Sequence, residues 1–211
     1  NILSSVTGGG YDRLSGTSMA CPNLAGFVIL MRQYVVENFP DIANDNVKVS
    51  ALVNQLMMST ADIILNTNGQ PYAVRKQGAG LANSADATSL YLNGAYITNP
   101  IQELGDDKEK TGVYTMDIEL NNESLSDITY TDLGAYILMD NVANAGGFFV
   151  NMQNSGLIYA GNEGYATVTF AIDGEEINEV TVLSGEKVVV SVTIELSDTI
   201  KGIYEQRFPN G

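Results

Sequence analysis

The residues best suited to chemistry in this sequence lie together between Gly16 and Pro22. Ser18 follows a glycine and a threonine and precedes an apolar run with helical spacing. Serine and threonine cap the free N–H groups of a first helical turn, and proline is tolerated where a helix has barely begun, so we predict that Ser18 lies at a helix N-terminus. The N–H groups and the dipole of such a helix end favour a developing negative charge. This position suits a nucleophilic hydroxyl and one half of an oxyanion hole.

A serine nucleophile needs a base, and the chain contains no histidine. Ser-His-Asp catalysis within these 211 residues is therefore excluded. A Ser-Lys dyad with Lys48 or Lys76 is an alternative, but no motif surrounds either lysine. Cys21 lacks the same base, and we interpret it as a small buried residue of the helix rather than as a nucleophile.

Residues 16–26 read Gly-Thr-Ser-Met-Ala-Cys-Pro-Asn-Leu-Ala-Gly. This run closely resembles the serine motif of the subtilisin-like serine peptidases (subtilases), although Asn23 stands where histidine is usual and Leu24 where valine is usual. The resemblance implies that Ser18 is the nucleophile and that its backbone N–H is one oxyanion donor. It also implies a supporting role for the neighbouring motif residues Gly16, Thr17, Met19, Ala20 and Pro22.

A second run, residues 77–83, reads Gln-Gly-Ala-Gly-Leu-Ala-Asn. It resembles the signature that closes the catalytic domain in the larger subtilases, and narrows the resemblance to the cell-envelope proteinases of the lactocepin type. In that family the catalytic Asp and His and the oxyanion Asn all precede the serine. Only 17 residues precede Ser18 here. We therefore expect the chain to be a C-terminal fragment of the catalytic domain, with the missing N-terminal half as its partner.

Two helices are predicted to carry and support Ser18. A strand over residues 1–5 and a glycine-rich turn over residues 8–11 lead to it. From residue 17 to about residue 38, apolar residues fill nearly every face, which predicts a buried helix. A second helix is predicted over about residues 46–60, with an apolar stripe formed by Val49, Leu52, Val53, Leu56 and Met57. A short hairpin near the Asn68-Gly69 turn and a helix over residues 84–92, capped by Asn83 or Ser84, complete this part.

The pattern changes to strands after a connector over residues 96–104. Residues 113–120, 165–172 and 188–196 alternate between apolar and polar, with turns at residues 173–174 and 184–187. Short strands at this spacing predict a β-sandwich. The family resemblance implies a fibronectin type III-like domain here, with residues 208–211 forming its Phe-Pro-Asn-Gly turn and the domain cut about one strand short.

The predicted fold class therefore has two parts. Residues 1–97 form the α/β C-terminal part of a subtilisin-like three-layer domain, helix-rich in this piece. Residues 98–211 form an all-β fibronectin type III-like sandwich. The charge distribution supports a boundary near residue 98, because residues 1–97 carry five Lys and Arg against six Asp and Glu, a net charge of −1, whereas residues 98–211 carry five against nineteen, a net charge of −14.

The acidic composition argues against nucleic acid and anionic membrane surfaces as partners. No apolar run of 18 residues is present, so we predict no membrane insertion in this segment. We predict no cofactor and no metal ligands. The acidic residues leave room for a structural calcium ion, although no EF-hand spacing occurs. Asn122-Glu123-Ser124 matches a glycosylation sequon, a weak motif.

The resemblance implies a secreted or cell-surface bacterial serine endopeptidase that acts on protein or peptide substrates through Ser18, whereas this chain by itself is predicted to be inactive. The alternatives are a catalytically dead pseudo-protease kept as an adhesion scaffold, and a binding function carried by the β-sandwich. A helical part without its partner strands would expose a large apolar face, so we also expect non-native oligomers of the fragment.

Overall fold

The computed structural model describes residues 2–139, 142–146, 148–151, 158–160 and 165–207. The first part of the chain contains, in order, β1 (Ile2–Val6), β2 (Gly10–Leu14), α1 (Thr17–Asn38), α2 (Asn46–Ser59), α3 (Val74–Gln77) and α4 (Ser84–Asn93). The second part contains β3 (Tyr96–Ile97), β4 (Val113–Asn121), β5 (Ile128–Tyr130), β6 (Ile137–Met139), β7 (Val142–Ala145), β8 (Phe148–Asn151), β9 (Ile158–Ala160), β10 (Ala166–Ile172), β11 (Glu175–Ile177), β12 (Val180–Val182), β13 (Lys187–Leu196) and α5 (Asp198–Arg207).

An antiparallel hairpin of β1 and β2 leads into α1. Its register runs from the Ile2–Leu14 pair to the Val6–Gly10 pair, and the intervening residues form the predicted glycine-rich turn. Most of its side chains are exposed. The hairpin ends two residues before Thr17, so it delivers the chain directly to the start of α1.

The core of the first part forms where α1, α2 and α4 pack together. Met31 and Val35 of α1 meet the apolar stripe of α2, and Ala87 of α4 and Tyr96 of β3 complete the buried cluster. The predicted stripe on α2 is confirmed: Val49, Leu52, Val53 and Leu56 are at most 5% exposed, and Met57 packs against them partly buried. Asp45 caps α2, accepting hydrogen bonds from the N–H groups of Val47 and Lys48.

The prediction that α1 is buried nearly all round is wrong for this chain. The helix spans residues 17–38 as expected, but Met31 and Val35 are its only buried residues, and Ile29 and Leu30 are more than 60% exposed. Cys21, predicted to be buried, is also exposed. The reason is that α2 and α4 contact only one side of α1, and no described element covers the remainder.

Helix α1 is long and apolar enough to cross a membrane by length and composition, with a mean hydropathy of 1.3. Core helices of soluble proteins meet the same criterion. The absence of membrane insertion therefore stays a prediction.

The main sheet of the second part has five strands in the order β11-β10-β13-β4-β3, and every neighbouring pair is antiparallel. Strands β4, β10 and β13 confirm the three alternating runs predicted from the sequence. A second sheet of β5 and β12 packs against it, because Val180 and Val182 lie in one buried cluster with Val190 and Val192. The two sheets thus share one core.

Strand β3 links the two parts. Residues 96–104 were predicted to be a connector, but Tyr96 and Ile97 pair with β4 in the main sheet. The Ile97 N–H donates to Ser59 Oγ over 2.8 Å, and Gln55 Nε2 donates to the Thr98 carbonyl over 2.7 Å. Helix α2 is therefore fastened to the edge of the sheet, and the domain boundary at residue 98 stays a prediction.

Asn122, the first residue of the sequon, is fully buried and structural. Its amide nitrogen donates to the carbonyls of Ser126 and Val182, and its Oδ1 accepts from the N–H and the hydroxyl of Ser124. The sequon match therefore has no glycosylation role in the folded chain, because no part of the Asn122 side chain is accessible.

The predicted short hairpin near Asn68-Gly69 is present in minimal form, as a turn closed by one antiparallel bridge between Leu65 and Pro71. The chain after β13 continues as α5, a helix that the sequence analysis did not predict. The predicted turn at residues 208–211 lies outside the described residues.

Candidate active site

Ser18 lies in the first turn of α1, as the sequence predicted. Gly16 is the N-cap residue, with a φ of 146° that side-chain-bearing residues rarely adopt. The N–H groups of Met19 and Ala20 both donate to the Gly16 carbonyl over 3.1 Å. The N–H groups of Thr17 and Ser18 precede these first intrahelical bonds, so they are two of the unsatisfied donors of the helix start.

The Ser18 hydroxyl makes no hydrogen bond within the described part of the chain. Ser18 is exposed, and so are the motif residues Gly16, Thr17, Ala20 and Pro22, whereas Met19 is half-buried. The predicted site residues thus lie at the N-cap and in the first two turns of α1, with an open surface around the hydroxyl. No base lies within hydrogen-bonding reach of Ser18 among the described residues.

Pro22 removes a backbone hydrogen bond from the Ser18 carbonyl. It is the sixth residue of α1, so it lies deeper in the helix than predicted. In an α-helix the N–H of residue 22 would donate to the carbonyl of residue 18, and proline has no N–H. The Ser18 carbonyl therefore lacks its usual helical donor.

The far half of α1 holds the helix in place. Met31 and Val35 are 1% and 0% exposed and pack against α2, which is itself tied to β3 through Ser59 and Gln55. The nucleophile candidate is therefore carried on the unsupported end of a helix whose other end is anchored to the rest of the chain.

The second motif, residues 77–83, lies directly before α4, and a backbone bridge joins it to Asp62. Asp62 and Leu81 exchange two backbone hydrogen bonds of 2.9 and 2.8 Å, and Gly80 lies directly against this bridge. A Cβ on Gly80 would overlap the carbonyl of Asp62, and its φ of 137° also favours glycine. Glycine at position 80 therefore permits the close packing of the chain against this bridge.

Two polar residues of this motif, Gln77 and Asn83, hold the surrounding chain through side-chain hydrogen bonds. The side chain of Gln77 accepts from the Ile64 N–H and donates to the Tyr72 carbonyl, so it joins two segments of the loop. Asn83 caps α4 through the Asp86 N–H, as predicted. A glutamine that pairs with backbone groups far along the chain leaves no periodic signal, so only the fold reveals it.

The described part of the chain supports neither a Ser-Lys dyad with Lys48 nor a metal site. Lys48 Nζ lies 3.7 Å from Asp45 on α2. Within the described ranges, no group of three or more His, Cys, Asp or Glu side chains could hold a metal ion. The pKa values that depart clearly from the ordinary range belong to Tyr96, Asp107 and Glu119, all outside α1.

These shifts have local causes in the second part of the chain. Backbone N–H groups of Gly112 and Thr111 donate to Asp107 and hold its pKa below the usual range. The hydrogen bond from Lys187, 2.9 Å long, does the same for the pKa of Glu119. Burial, followed by the nearby Glu123 carboxylate, raises the pKa of Tyr96 to about 12.

Comparison with known proteins adds independent information. A sequence model of the subtilase family matches residues 1–80. The chain is 30% identical over 128 residues to a C5a peptidase of Streptococcus pyogenes serotype M18 (strain MGAS8232), an alignment that covers 59% of this chain and 11% of that protein.

Two PII-type proteinases match along the entire chain. Those of Lacticaseibacillus paracasei and Lactococcus lactis subsp. cremoris are each 28% identical over 228 aligned residues, which cover 100% of this chain and 11% of each relative. The chain therefore spans about a tenth of the length of the curated relatives it matches.

Proposed function

We propose that the chain, whose residues 1–80 match the subtilase family model, is the serine-bearing part of a serine endopeptidase in which Ser18 attacks the peptide carbonyl. The observation that carries the proposal is the position of Ser18 in the first turn of α1, with its own N–H among the unsatisfied donors of the helix start. A donor placed there stabilises a developing oxyanion by about 3–4 kcal/mol.

The remaining parts of the machinery come from outside these 211 residues in this proposal. A histidine supplied upstream takes the proton of Ser18, an upstream aspartate orients that histidine, and an upstream asparagine provides the second oxyanion donor. The exposed apolar surface of α1 around Ile29 and Leu30 is then the surface on which the upstream half packs. The chain by itself is inactive and forms non-native oligomers through that surface.

The relatives named C5a peptidase and PII-type proteinase support a protein or peptide substrate and a bacterial source. We place the intact protein outside the cell or on its surface, without nucleic acid as a partner. The two sheets of the second part are proposed to be a fibronectin type III-like domain that follows the catalytic domain. A structural calcium ion remains compatible with the acidic sequence, without a designated site.

A serine-directed phosphonate probe tests this proposal. The intact protein, which includes the residues encoded upstream, should be labelled and should cleave peptides, whereas Ser18→Ala should lose labelling and about 10⁶-fold in kcat. Ser15→Ala, a change at an exposed serine outside the site, is the matched control and should keep both.

The isolated chain should show neither labelling nor cleavage. Peptidase activity of the isolated chain that disappears in Ser18→Ala would refute the need for an upstream base. An intact protein that is folded, monomeric and inert would instead favour the binding-scaffold alternative.

A further inference from the structure

A cleft of about 500 Å³ lies where the helical part of the chain meets the sheet. Its walls come from the segment after α1, one face of α2, Tyr96 of β3, and Glu123. The volume falls within the range of about 300–1,000 Å³ that is typical of ligand pockets. Ser18 is at the opposite end of α1, about 30 Å away along a helix that rises 1.5 Å per residue, so the cleft is separate from the candidate active site.

The amide side chains in the cleft leave acceptor oxygens for a ligand. Asn38 Nδ2 donates to the Tyr34 carbonyl over 2.8 Å, and Gln55 Nε2 donates to the Thr98 carbonyl over 2.7 Å. These bonds fix both amide groups by their nitrogens. Their oxygens, Oδ1 and Oε1, have no hydrogen-bond partner within the described ranges.

Two carboxylates add negative charge to the same walls. Glu123 Oε1 accepts from Asn121 Nδ2 over 2.9 Å and lies 3.5 Å from the Tyr96 hydroxyl, which leaves Oε2 unpaired within the described part of the chain. Asp41 has neither a hydrogen bond nor an ion pair there. The C-terminal end of α1, which has no basic residue in its last turn, contributes the negative end of its dipole.

Positive charge in the cleft is weak by comparison. Among the described residues that line the cleft, Lys48 is the one basic residue, and its ammonium is already 3.7 Å from Asp45. Apolar side chains form the rest of the surface, including Phe39, Ile42 and the buried Leu52. The cleft thus combines unpaired acceptors, net negative charge and an apolar wall.

We propose that this cleft binds the arginine side chain of a peptide, with an apolar neighbouring residue of that peptide packed against Phe39 and Leu52. A guanidinium group carries five N–H donors and no acceptor, so it complements a site whose unpaired polar atoms are mostly acceptors. It is always charged, and one of its N–H groups can donate to Oε2 of Glu123, the carboxylate oxygen that has no partner within the described part of the chain. The volume exceeds what one guanidinium group fills, which leaves room for the neighbouring residue. The proposal does not depend on the chemistry at Ser18.

Isothermal titration of the 211-residue chain with acetyl-Leu-Arg-amide tests the proposal. Acetyl-Leu-citrulline-amide is the matched neutral peptide, because citrulline keeps the shape of arginine without its charge. We expect saturable one-to-one binding of the arginine peptide and at least about tenfold weaker binding of the citrulline peptide. Equal affinity for the two peptides, or no saturable binding of either, would overturn the proposal.

Variants with opposite expected effects keep the test independent of folding defects. Glu123→Gln and Asp41→Asn should each weaken the arginine peptide at least about threefold, and Lys48→Gln should tighten it, because it removes the like charge. Glu37→Gln is the control, since Glu37 pairs with Gln33 on α1 and does not line the cleft. Weaker binding of the arginine peptide to Lys48→Gln would refute the assignment, because loss of a like charge should not weaken the binding of a cation.

Discussion

Replacement of Gly80 by alanine tests the claim that the second motif is built around a backbone contact. A Cβ on Gly80 would lie 2.7 Å from the carbonyl carbon of Asp62, a contact that real Cβ atoms essentially never make. The obstacle is backbone, so no side-chain rotation relieves it. The chain must move, and the two hydrogen bonds between Asp62 and Leu81 are the first to break.

The expected loss of stability can be estimated from two contributions. The positive φ of 137° is a conformation that costs a non-glycine residue about 1–3 kcal/mol. Each broken hydrogen bond adds about 0.5–1.5 kcal/mol. Gly80→Ala should therefore lower the free energy of unfolding by about 2–6 kcal/mol, a large share of the roughly 5–15 kcal/mol typical of a folded domain.

Gly78→Ala is the matched control in the same motif. Gly78 also has a positive φ, 61°, but a Cβ there meets nothing within 4 Å. It should lose only the conformational contribution of about 1–3 kcal/mol. Urea unfolding midpoints measure the difference, and hydrogen exchange of the Asp62 and Leu81 amides reports the bridge. If both variants unfold at the same midpoint with the bridge amides still protected, the reasoning is refuted.

Three further predictions concern residues outside this motif. Asn122→Ala should cost about 2–4 kcal/mol in urea unfolding, because Ser124 and the carbonyls of Ser126 and Val182 lose their partner. An unchanged midpoint would contradict the structural role. Pro22→Ala should raise the unfolding midpoint by the equivalent of about 1–3 kcal/mol, because it restores a helical donor to the Ser18 carbonyl; a lower midpoint would show that the proline is favourable in place. The pKa of Tyr96 is raised to about 12 in the folded chain, so the stability contributed by its neutral hydroxyl should be intact below pH 10 and lost between about pH 10 and 12. Tyr96→Phe should flatten the alkaline decline of the free energy of unfolding. An unaltered alkaline profile in that variant would argue against the raised pKa.

Local pattern carried the predictions that succeeded. The apolar spacing of α2 named four residues that are buried in the structure, and the alternation over residues 188–196 placed Val190 and Val192 inside the sheet core. These signals are strong because side chains return to the same face every two residues in a strand and every 3.6 residues in a helix. The position of Ser18 was predictable for the same reason, since glycine before it and apolar residues after it mark a helix start.

The predictions that failed needed information about neighbours. An apolar helix is buried only where something packs on it, and α1 has α2 and α4 on one side alone, so Cys21 and Ile29 are exposed. Strand β3 takes only two residues of the predicted connector, too few for a periodic signal, and it forms because β4 offers it hydrogen bonds. The burial of Asn122 was likewise not predictable, because a three-residue motif does not report burial.

The sequence by itself determined the local elements and the identity of the candidate nucleophile, because both depend on residues close together along the chain. The tertiary structure alone decided which surfaces are covered, how α2 is fastened to the sheet through Ser59 and Ile97, and how Asn38, Gln55 and Glu123 come to line one cleft. Those three residues are separated by up to 85 positions in the sequence. Only the packing of a helical layer against the sheet edge brings such distant side chains together.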